Sequence, residues 1–419
     1  MKRRVFLKSS AAFLAFSGQL VTAQDVPDLS LLEVARVLRD QPYAANTTPL
    51  SAPFADLDYD AFRGIRPIDG VTANLPHGDR FAVDLLPPGL YFPDPVKIDR
   101  MTQGGLQEIA FSPKAFTYEP RYFDDIPETS PGGGFTGMRL RYPLNKADHM
   151  DEVLGMQGAS YFRAIGQAMA YGLSARTVAV GTGGPTPEEF PRFVHLRLHP
   201  ADGDAVRLDG VIDSPSLTGH LDLTLYPGRN TEMEISTTIF PRVDIADVGI
   251  APLTSMNLKG PMLSAVSADF RPREHDSDVL VVQNGAGDSL WRPIANPRGV
   301  ETSAFADVSP KAFGLYQTAR QYEDFQDTEA RYHDRPSATV TPQGDWGAGA
   351  VMLIELPTGD EFMDNIVAFW RPQEPLVAGR EYRFDYRLTW TLDLPDLGDL
   401  PTIVQVRSGR ERDRPGYSR

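Results

Sequence analysis

The residues most capable of chemistry crowd into one stretch of the chain, residues 269–291, with the sequence DFRPREHDSDVLVVQNGAGDSLW. Carboxylates and arginines surround a single histidine there, and the flanks are apolar or aromatic, whereas a solvated charge run usually lacks such flanks. Seven side chains are of interest, namely Asp269, Arg271, Arg273, Glu274, His275, Asp276 and Asp278. A further carboxylate, Asp364, begins the sequence DNIVAFW. Two carboxylates brought together by the fold would suit general acid–base catalysis.

Asp276 and Asp364 stand in different local surroundings, which predicts different roles. Hydrolysis of a glycosidic bond needs a protonated acid beside the leaving oxygen and a base or nucleophile across the sugar ring. Asp364 precedes an apolar run at 366–370, and burial there would help it to keep a proton near neutral pH. Asp276 lies between His275 and Ser277, in polar surroundings that favour an ionised group. The local sequence therefore makes Asp364 the candidate acid and Asp276 the candidate base.

Each of these aspartates also has a plainer interpretation. Asp364 could end a turn before a strand, and Asp276 could form a surface salt bridge with Arg271 or Arg273. The local sequence leaves these alternatives open. Two further candidate carboxylates are Asp345 and Glu361.

Aromatic and hydrogen-bonding side chains of the C-terminal third could form a sugar-binding surface. Aromatic rings stack on the C–H faces of sugars, while arginine and asparagine bind hydroxyl groups. The four tryptophans of the chain all follow residue 290. The candidates are Trp291, Tyr332, Trp346 and Trp370, with Arg292 and Arg335 nearby. Each tryptophan could instead fill the hydrophobic core, and their clustering modestly favours a platform.

Other catalytic chemistries find little support in the sequence. The chain has no cysteine, which excludes intrachain disulfides and thiolate nucleophiles. Of its seven histidines, only His195 and His199 lie close together, and a metal pair there would need a third ligand from afar, so we interpret them as structural. The glycines of TGGPTPEEF and NGAGDS lie in turns that lack the following helix of a phosphate-binding loop. We expect no metal and no cofactor.

The charge balance limits the partners of the protein. The formal net charge is −15, and such a surface repels phosphate backbones and anionic lipid headgroups. Neither nucleic acid nor membrane insertion is therefore expected. A neutral substrate such as a glycan is compatible with the charge, although an acidic surface also serves solubility alone.

The distribution of turn-forming and apolar residues predicts a protein dominated by β-strands. There are 36 Gly and 36 Pro, which suits many short strands and turns better than long helices. Apolar and polar residues alternate in runs such as HLDLTL at 220–225, as in half-buried antiparallel strands. One short amphipathic helix is predicted in LLEVARVLRD, capped by Asp28 or Ser30, and a second helical interval near 161–171.

The chain divides into three predicted parts. Residues 1–23 resemble a twin-arginine signal peptide, with a basic KRRVFLK start, a weakly apolar run and small residues before Gln24. Residues 24–395 are predicted to form one large antiparallel β-sandwich with few helices. Residues 396–419 are expected to form a linker or tail. The signal predicts a periplasmic location.

Segments over nearly the whole mature chain resemble the periplasmic glucan biosynthesis proteins called MdoG, OpgG and OpgD. The matching sequences include LDYDAFRGIR, PGLYFPDPVKID, YFRAIGQAMAYGLSART, DFRPREHDSD, YHDRPS, GDWGAGAVMLIELPT and DNIVAFWRP. The resemblance implies a part in osmoregulated periplasmic glucan biosynthesis and a galactose-mutarotase-like sandwich. It also implies a C-terminal immunoglobulin-like domain, which is expected to be absent from this sequence. The twin-arginine start looks more like the OpgD branch.

The resemblance further implies an endo-acting, inverting β-1,2-glucanase or a related transglycosylase. Asp364 matches the family's general acid, and Asp276 matches its proposed base, with the proton relayed through water and substrate hydroxyls. The expected substrate-binding residues are Tyr332, Arg335, Trp346, Trp291, Asp278 and His275. The chain departs from the family at Asp288 and Ser289, where other members often carry Glu-Trp, and this removes one aromatic contact.

Two other functions stand beside the glucanase. One is a non-catalytic glucan-binding or scaffold protein that holds nascent glucan for other enzymes. The other is a carbohydrate epimerase on a mutarotase-like sandwich. The expected partners are β-1,2-glucan, a second copy of the chain in a homodimer and other periplasmic glucan enzymes.

Overall fold

The computed structural model describes residues 29–45, 49–102, 104–125, 133–261 and 270–395. The predicted signal peptide and the predicted tail at 396–419 lie outside the described residues, as does Asp269. Within the described ranges the chain is built mainly of strands, which confirms the predicted fold class.

The strands follow one another along the chain with short connections. In order they are β1 (Ile65–Pro67), β2 (Leu75–His77), β3 (Phe81–Leu85), β4 (Lys97–Thr102), β5 (Gly105–Glu108), β6 (Phe116–Tyr118), β7 (Gly137–Lys146), β8 (His149–Gln157), β9 (Tyr161–Ala164), β10 (Ser174–Arg176), β11 (Val178–Val180), β12 (Arg192–Leu198), β13 (Val206–Asp213), β14 (Leu217–Tyr226), β15 (Thr231–Pro241), β16 (Val248–Ser255), β17 (Asn257–Lys259), β18 (Glu274–His275), β19 (Val279–Gln283), β20 (Ser289–Pro293), β21 (Glu301–Val308), β22 (Ala312–Tyr316), β23 (Ser337–Gln343), β24 (Ala348–Glu355), β25 (Ile366–Pro372) and β26 (Tyr382–Thr391).

Helices are few and short. The α-helices are α1 (Leu31–Arg39), α2 (Tyr59–Arg63) and α3 (Tyr322–Phe325), and single 3₁₀ turns occur at Phe54–Asp56, Pro113–Ala115 and Tyr332–Asp334. None of these described helices is long and apolar enough to cross a membrane.

Two large sheets form the body of the molecule. The first, which we call the front sheet, has the strand order β2-β3-β7-β8-β9-β10-β16-β25-β24-β21, with β11 also paired to β16. The second, the back sheet, has the order β20-β19-β22-β23-β26-β15-β14-β13-β12-β4-β5. The pairing within the two sheets is antiparallel except between β12 and β4. Two small ribbons, β1-β6 and β17-β18, complete the described strands.

The core lies between the two sheets because each strand turns alternate side chains inward. In β14, Leu221, Leu223 and Leu225 are fully buried, whereas Asp222 and Thr224 point outward. These leucines share one apolar cluster with front-sheet residues such as Leu140. The alternation at 220–225 thus confirms the predicted half-buried strand.

Helix α1 forms where the sequence predicts it. Ser30 is the N-cap, and it forms a reciprocal capping box with Glu33. The apolar stripe of the helix packs on the outer side of the back sheet, against Val211 and Phe240. Burial of this stripe fixes the helix, since a nine-residue helix is marginal in isolation.

The predicted helix at 161–171 is wrong. Tyr161–Ala164 forms strand β9, which pairs with β8 and β10, and the chain then turns irregularly. A Cβ on Gly166 would lie only 2.3 Å from the carbonyl oxygen of Arg229, and Ala168 has a positive φ of 61°. Sheet pairing therefore outweighs the helical spacing of the apolar residues.

Candidate functional site

The two candidate catalytic aspartates lie in segments that hydrogen-bond to the same piece of backbone. This piece runs through Met256 and Asn257, where β16 gives way to β17. Asp364 stands just before β25, whose first residue, Ile366, pairs with Ser255 of β16. On the other side, the backbone N–H of Asp276 donates to the carbonyl of Met256 at 2.8 Å. The fold therefore brings the distant motifs of the sequence together.

Asn365 fixes the position of the segment that carries Asp364. Its side-chain amide accepts a hydrogen bond from the N–H of Asn257 at 2.8 Å and donates to the Asn257 carbonyl at 3.1 Å and the Leu356 carbonyl at 2.9 Å. Asn257 in turn donates from its own side chain to the carbonyl of Ser277 at 2.9 Å. The two motifs are thus clamped through side-chain amides, all of them buried.

Asp364 has the surroundings expected of a group that keeps its proton. The residue is half-buried at a cleft, and burial raises the pKa of its carboxyl above the ordinary value. The charge of Asp276 raises that pKa further, while three arginines act in the opposite direction, namely Arg163, Arg176 and Arg335. Within the described residues, no donor is hydrogen-bonded to the Asp364 carboxyl, so its oxygens are available to a ligand.

Asp276 is buried, and its carboxylate pairs with one arginine within the described ranges. Its Oδ1 accepts a hydrogen bond from Nη1 of Arg335 at 2.6 Å. The arginine of this ion pair is therefore Arg335, and the alternative pairing with Arg271 or Arg273 is wrong. Arg271 contacts Glu274, Asp327 and Glu361 instead, and Arg273 lies 3.7 Å from Asp324.

Tyr332 and Arg335 form the support of Asp276. The guanidinium of Arg335 lies 4.3 Å from the centre of the Tyr332 ring, and its Nε donates to the Ala330 carbonyl at 3.0 Å. The Tyr332 hydroxyl donates to Glu361 at 2.7 Å, and burial raises the pKa of this phenol. The ring is fully buried, so Tyr332 orders the arginine rather than lining the cleft.

The cleft beside Asp364 is a cavity of about 520 Å³ on the outer side of the front sheet. Strands β7, β8 and β9 form its floor. Its lining includes the aromatic rings of Tyr91, Phe92, Tyr161 and Tyr171 together with the polar groups of Arg139, Glu152, Gln157 and Arg163. Aromatic walls with a few polar groups are suited to binding a sugar chain.

His275 and Asp278 support the site from within the protein. The His275 ring is completely buried, lies edge-on to Phe325 at 5.0 Å between ring centres, and has a pKa lowered by burial. Asp278 accepts hydrogen bonds from the backbone N–H of Thr318 at 2.8 Å and from its hydroxyl. Neither residue lines the cleft, although both were expected to bind substrate.

The tryptophans do not gather into one platform. Trp346 is 6% exposed and packs among Trp370, Phe384 and Tyr386 with ring centres 5.6–6.5 Å apart. Trp291 lies on the outermost strand of the back sheet and is 36% exposed. Both residues were expected to stack on sugars, but Trp346 lies in the core and Trp291 lies at an exposed sheet edge, and neither lines the cleft.

The other candidate groups take structural positions. Asp345 is exposed, accepts from Ser309 and from the N–H of Gly347, and has a pKa lowered by these hydrogen bonds. His195 binds Asp99 at 2.6 Å, whereas His199 binds Asp209 at 2.8 Å. Over the described ranges, no cluster of three or more histidine, aspartate or glutamate side chains is arranged to hold a metal ion.

Sequence reasoning missed the polar residues of the cleft floor. Tyr161 and Arg163 lie on β9 at alternate positions of one face, which is a strand signal that the helical interpretation hid. Arg176 was missed because nothing in its local sequence shows that the fold buries it against the ring of Tyr161, which lines the cleft.

The fold and the site together define a class: a β-sandwich protein with an aromatic-lined cleft that contains a half-buried aspartate. Comparison with known proteins makes this specific. The family model described as "Periplasmic glucan biosynthesis protein, MdoG" matches residues 29–418. The chain therefore belongs to the MdoG family of periplasmic glucan biosynthesis proteins.

Relatives in several bacteria carry the name Glucans biosynthesis protein G. The protein from Vibrio cholerae serotype O1 is 40% identical over 383 residues, covering 91% of this chain and 70% of the relative. The proteins from Shewanella frigidimarina (40% identity, 91% and 68% coverage) and Shewanella sp. strain ANA-3 (42% identity, 91% and 70% coverage) are similar to the same extent. Family membership supports a role in glucan biosynthesis.

Proposed function

We propose that this protein cleaves or rearranges β-1,2-glucan in the periplasm, as an endo-acting, inverting glucanase or a related transglycosylase. The observation that carries the proposal is the Asp364 carboxyl, which is desolvated enough to raise its pKa and yet faces a cleft. Burial favours the protonated form of such a group, and the protonated form can give its proton to a leaving oxygen.

Asp276 is the proposed base. It lies across the Met256–Asn257 backbone from Asp364, and its ion pair with Arg335 leaves the second carboxylate oxygen without a donor in the described part of the chain. In the reaction, the O–H bond of Asp364 breaks and its proton goes to the glycosidic oxygen as the C–O bond is cleaved. Water, or a hydroxyl of an acceptor sugar, attacks the carbon and passes its proton to Asp276 directly or through a substrate hydroxyl.

The cleft supplies the proposed binding surface. Tyr161 and Tyr171 offer rings for sugar C–H faces, and Arg163 offers an exposed guanidinium for hydroxyl groups. Tyr332 and Arg335 are proposed to act mainly by holding Asp276, and His275 and Asp278 by keeping the surrounding backbone in place. The cleft contains no dense positive charge that would select an anionic polymer, which is consistent with a neutral glucan.

The test is incubation of the purified protein with linear β-1,2-glucan, with the product sizes and the anomeric form followed by chromatography and NMR. We expect shorter or rearranged chains, an inverted anomer, and a loss of turnover of about 10²–10⁴-fold in Asp364→Asn. Asp360→Asn is the matched control, since Asp360 is an exposed aspartate of the same loop, and it should keep full activity.

Two outcomes would overturn the proposal. Full turnover in Asp364→Asn would remove this residue as the acid. Tight binding of β-1,2-glucan without any change in polymer length or linkage would favour a scaffold protein that holds the glucan for other enzymes.

A further inference from the structure

The glycine-containing loop at 181–190, GTGGPTPEEF, packs on the outer side of the front sheet next to the cleft. Gly183 has a φ of 69°, and a Cβ at this position would lie 2.7 Å from the Ile354 side chain, so the close approach requires glycine. Glu189 anchors the end of the loop by accepting hydrogen bonds from the N–H of Ser216 at 3.0 Å and its hydroxyl at 2.8 Å. The loop is thus fixed to both sheets.

The loop holds one arginine through its other glutamate. Arg176, at the end of β10, is 1% exposed, and its Nη1 donates to Oε1 of Glu188 at 2.7 Å. Thr182 donates to the same Glu188 oxygen. Two rings enclose the guanidinium, with Tyr161 at 5.3 Å and Phe190 at 5.6 Å from its central carbon. The ion pair with Glu188 offsets part of the cost of burying this cation, while its Nε has no hydrogen-bond partner among the described residues.

Tyr161 connects Arg176 to the candidate acid. Its ring lies 5.3 Å from the central carbon of the Arg176 guanidinium, and it lines the same cleft as Asp364. The other charged groups that face Asp364 are the cations Arg163 and Arg335 and the anion Asp276. Arg335 is already paired to Asp276 at 2.6 Å, and Arg163 is exposed and has no ion pair among the described residues. Among these three arginines, Arg176 is therefore the one that is held in place by burial and is not paired with the proposed base.

We propose that Arg176 is a positioning residue which stabilises the carboxylate that Asp364 becomes after its proton has passed to the leaving oxygen, and that the 181–190 loop holds it there through Glu188. The inference rests on the proposed function. A charge held in place before the reaction needs no reorganisation when negative charge develops nearby, so it contributes more than a mobile one. Glu188 weakens the effect and sets its size, because it neutralises part of the arginine charge.

Two substitutions should act in opposite directions. Arg176→Met removes the positive charge, which raises the pKa of Asp364. The alkaline limb of the plot of kcat against pH therefore moves to higher pH. The substitution also lowers kcat at the optimum by about tenfold, with KM little changed. Glu188→Gln preserves the size of the side chain but removes the negative charge that partly neutralises Arg176. The stronger positive charge lowers the pKa of Asp364 and moves the alkaline limb to lower pH. Arg176→Lys should restore most of the wild-type profile.

The matched control is Arg371→Met. Arg371 also stacks on an aromatic ring, Phe369 at 5.4 Å, and pairs with a carboxylate, Asp247 at 3.4 Å, but it is not among the charges that act on Asp364. This variant should leave the pH profile unchanged. Circular dichroism of each variant checks that it is folded.

A direct titration separates this inference from the proposed function. The ¹³C signal of the Asp364 carboxyl, assigned by its disappearance in Asp364→Asn, reports proton binding without any turnover. We expect a higher titration midpoint in Arg176→Met and a lower one in Glu188→Gln. Equal midpoints in folded wild-type protein and both variants would overturn the role of Arg176. Absence of glucan turnover in the wild type would overturn the proposed function alone.

Discussion

Removal of Arg335 should destabilise the protein more than removal of any exposed arginine. Asp276 has a side-chain exposure of 4%, and Arg335 has an exposure of 21%, with 2.6 Å between their charged atoms. Breaking one side of a buried ion pair leaves an uncompensated charge and costs about 3–5 kcal/mol. Because Arg335 retains some contact with solvent, and glutamine can still donate one hydrogen bond, we expect Arg335→Gln to cost about 3 kcal/mol, at the lower end of this range.

The assay is urea unfolding followed by tryptophan fluorescence, with the free energy extrapolated to water. Arg331→Gln is the matched control, since Arg331 forms its 2.6 Å ion pair with Asp334 at the surface and is 54% exposed. This substitution should cost less than about 1 kcal/mol.

A double-mutant cycle isolates the pair itself. In Asp276→Asn the charge that needs Arg335 is gone, so Arg335→Gln should cost less in that background, with a coupling of about 1–3 kcal/mol. The reasoning would be refuted if Arg335→Gln cost no more than Arg331→Gln, or if the two substitutions at the pair were additive.

Three further predictions follow from burial, protonation and export. Leu221→Ala should cost about 2–5 kcal/mol in urea unfolding, because the side chain is fully buried, whereas Leu290→Ala, at a 39% exposed position, should cost less than about 1 kcal/mol; equal losses would contradict the assigned core. Asp364→Asn should stabilise the protein at neutral pH: because the folded-state pKa of Asp364 is raised above its ordinary value of 3.8, ionisation of this carboxyl costs the wild type stability as the pH rises from 3.8 through the folded-state pKa. Thermal unfolding at several pH values should therefore show that the variant is more stable than the wild type at neutral pH and loses this advantage at about pH 3.8 and below. A difference in stability that does not change with pH would contradict the prediction. Replacement of Arg3 and Arg4 by lysine should keep the protein in the cytoplasm in cell fractionation, if the N-terminus is a twin-arginine signal, and unchanged export would count against that signal.

Local patterns predicted the fold where neighbouring residues determine the structure. The alternation at 220–225 predicted the buried leucines of β14, and the possible caps Asp28 and Ser30 marked the start of α1, where the structure has Ser30 as the N-cap. The interval at 161–171 failed because Tyr161–Ala164 completes its hydrogen bonds with β8 and β10, which are partners that local spacing does not reveal.

The candidate carboxylates could be selected from the sequence, whereas their surroundings could not. Residue type and flanking sequence were enough to select Asp276 and Asp364 as candidates. The arginine of Asp276 was not predictable, because Arg335 comes from a loop far along the chain whereas the neighbouring Arg271 pairs elsewhere. The burial of Trp346 likewise depends on the packing of the sheets against each other.

The sequence by itself therefore determined which carboxylates are candidates for proton transfer, which strand turns its leucines inward, and where the first described helix begins, because these depend on residue type and short-range spacing. Only the tertiary structure decided that the segments carrying Asp276 and Asp364 meet at the Met256–Asn257 backbone, that β7, β8 and β9 form the floor of a cleft, and that Glu188 of a distant loop holds Arg176. The reason is that charges act through space: the pKa of a carboxyl depends on groups that are near it in the fold but can be far from it in the sequence.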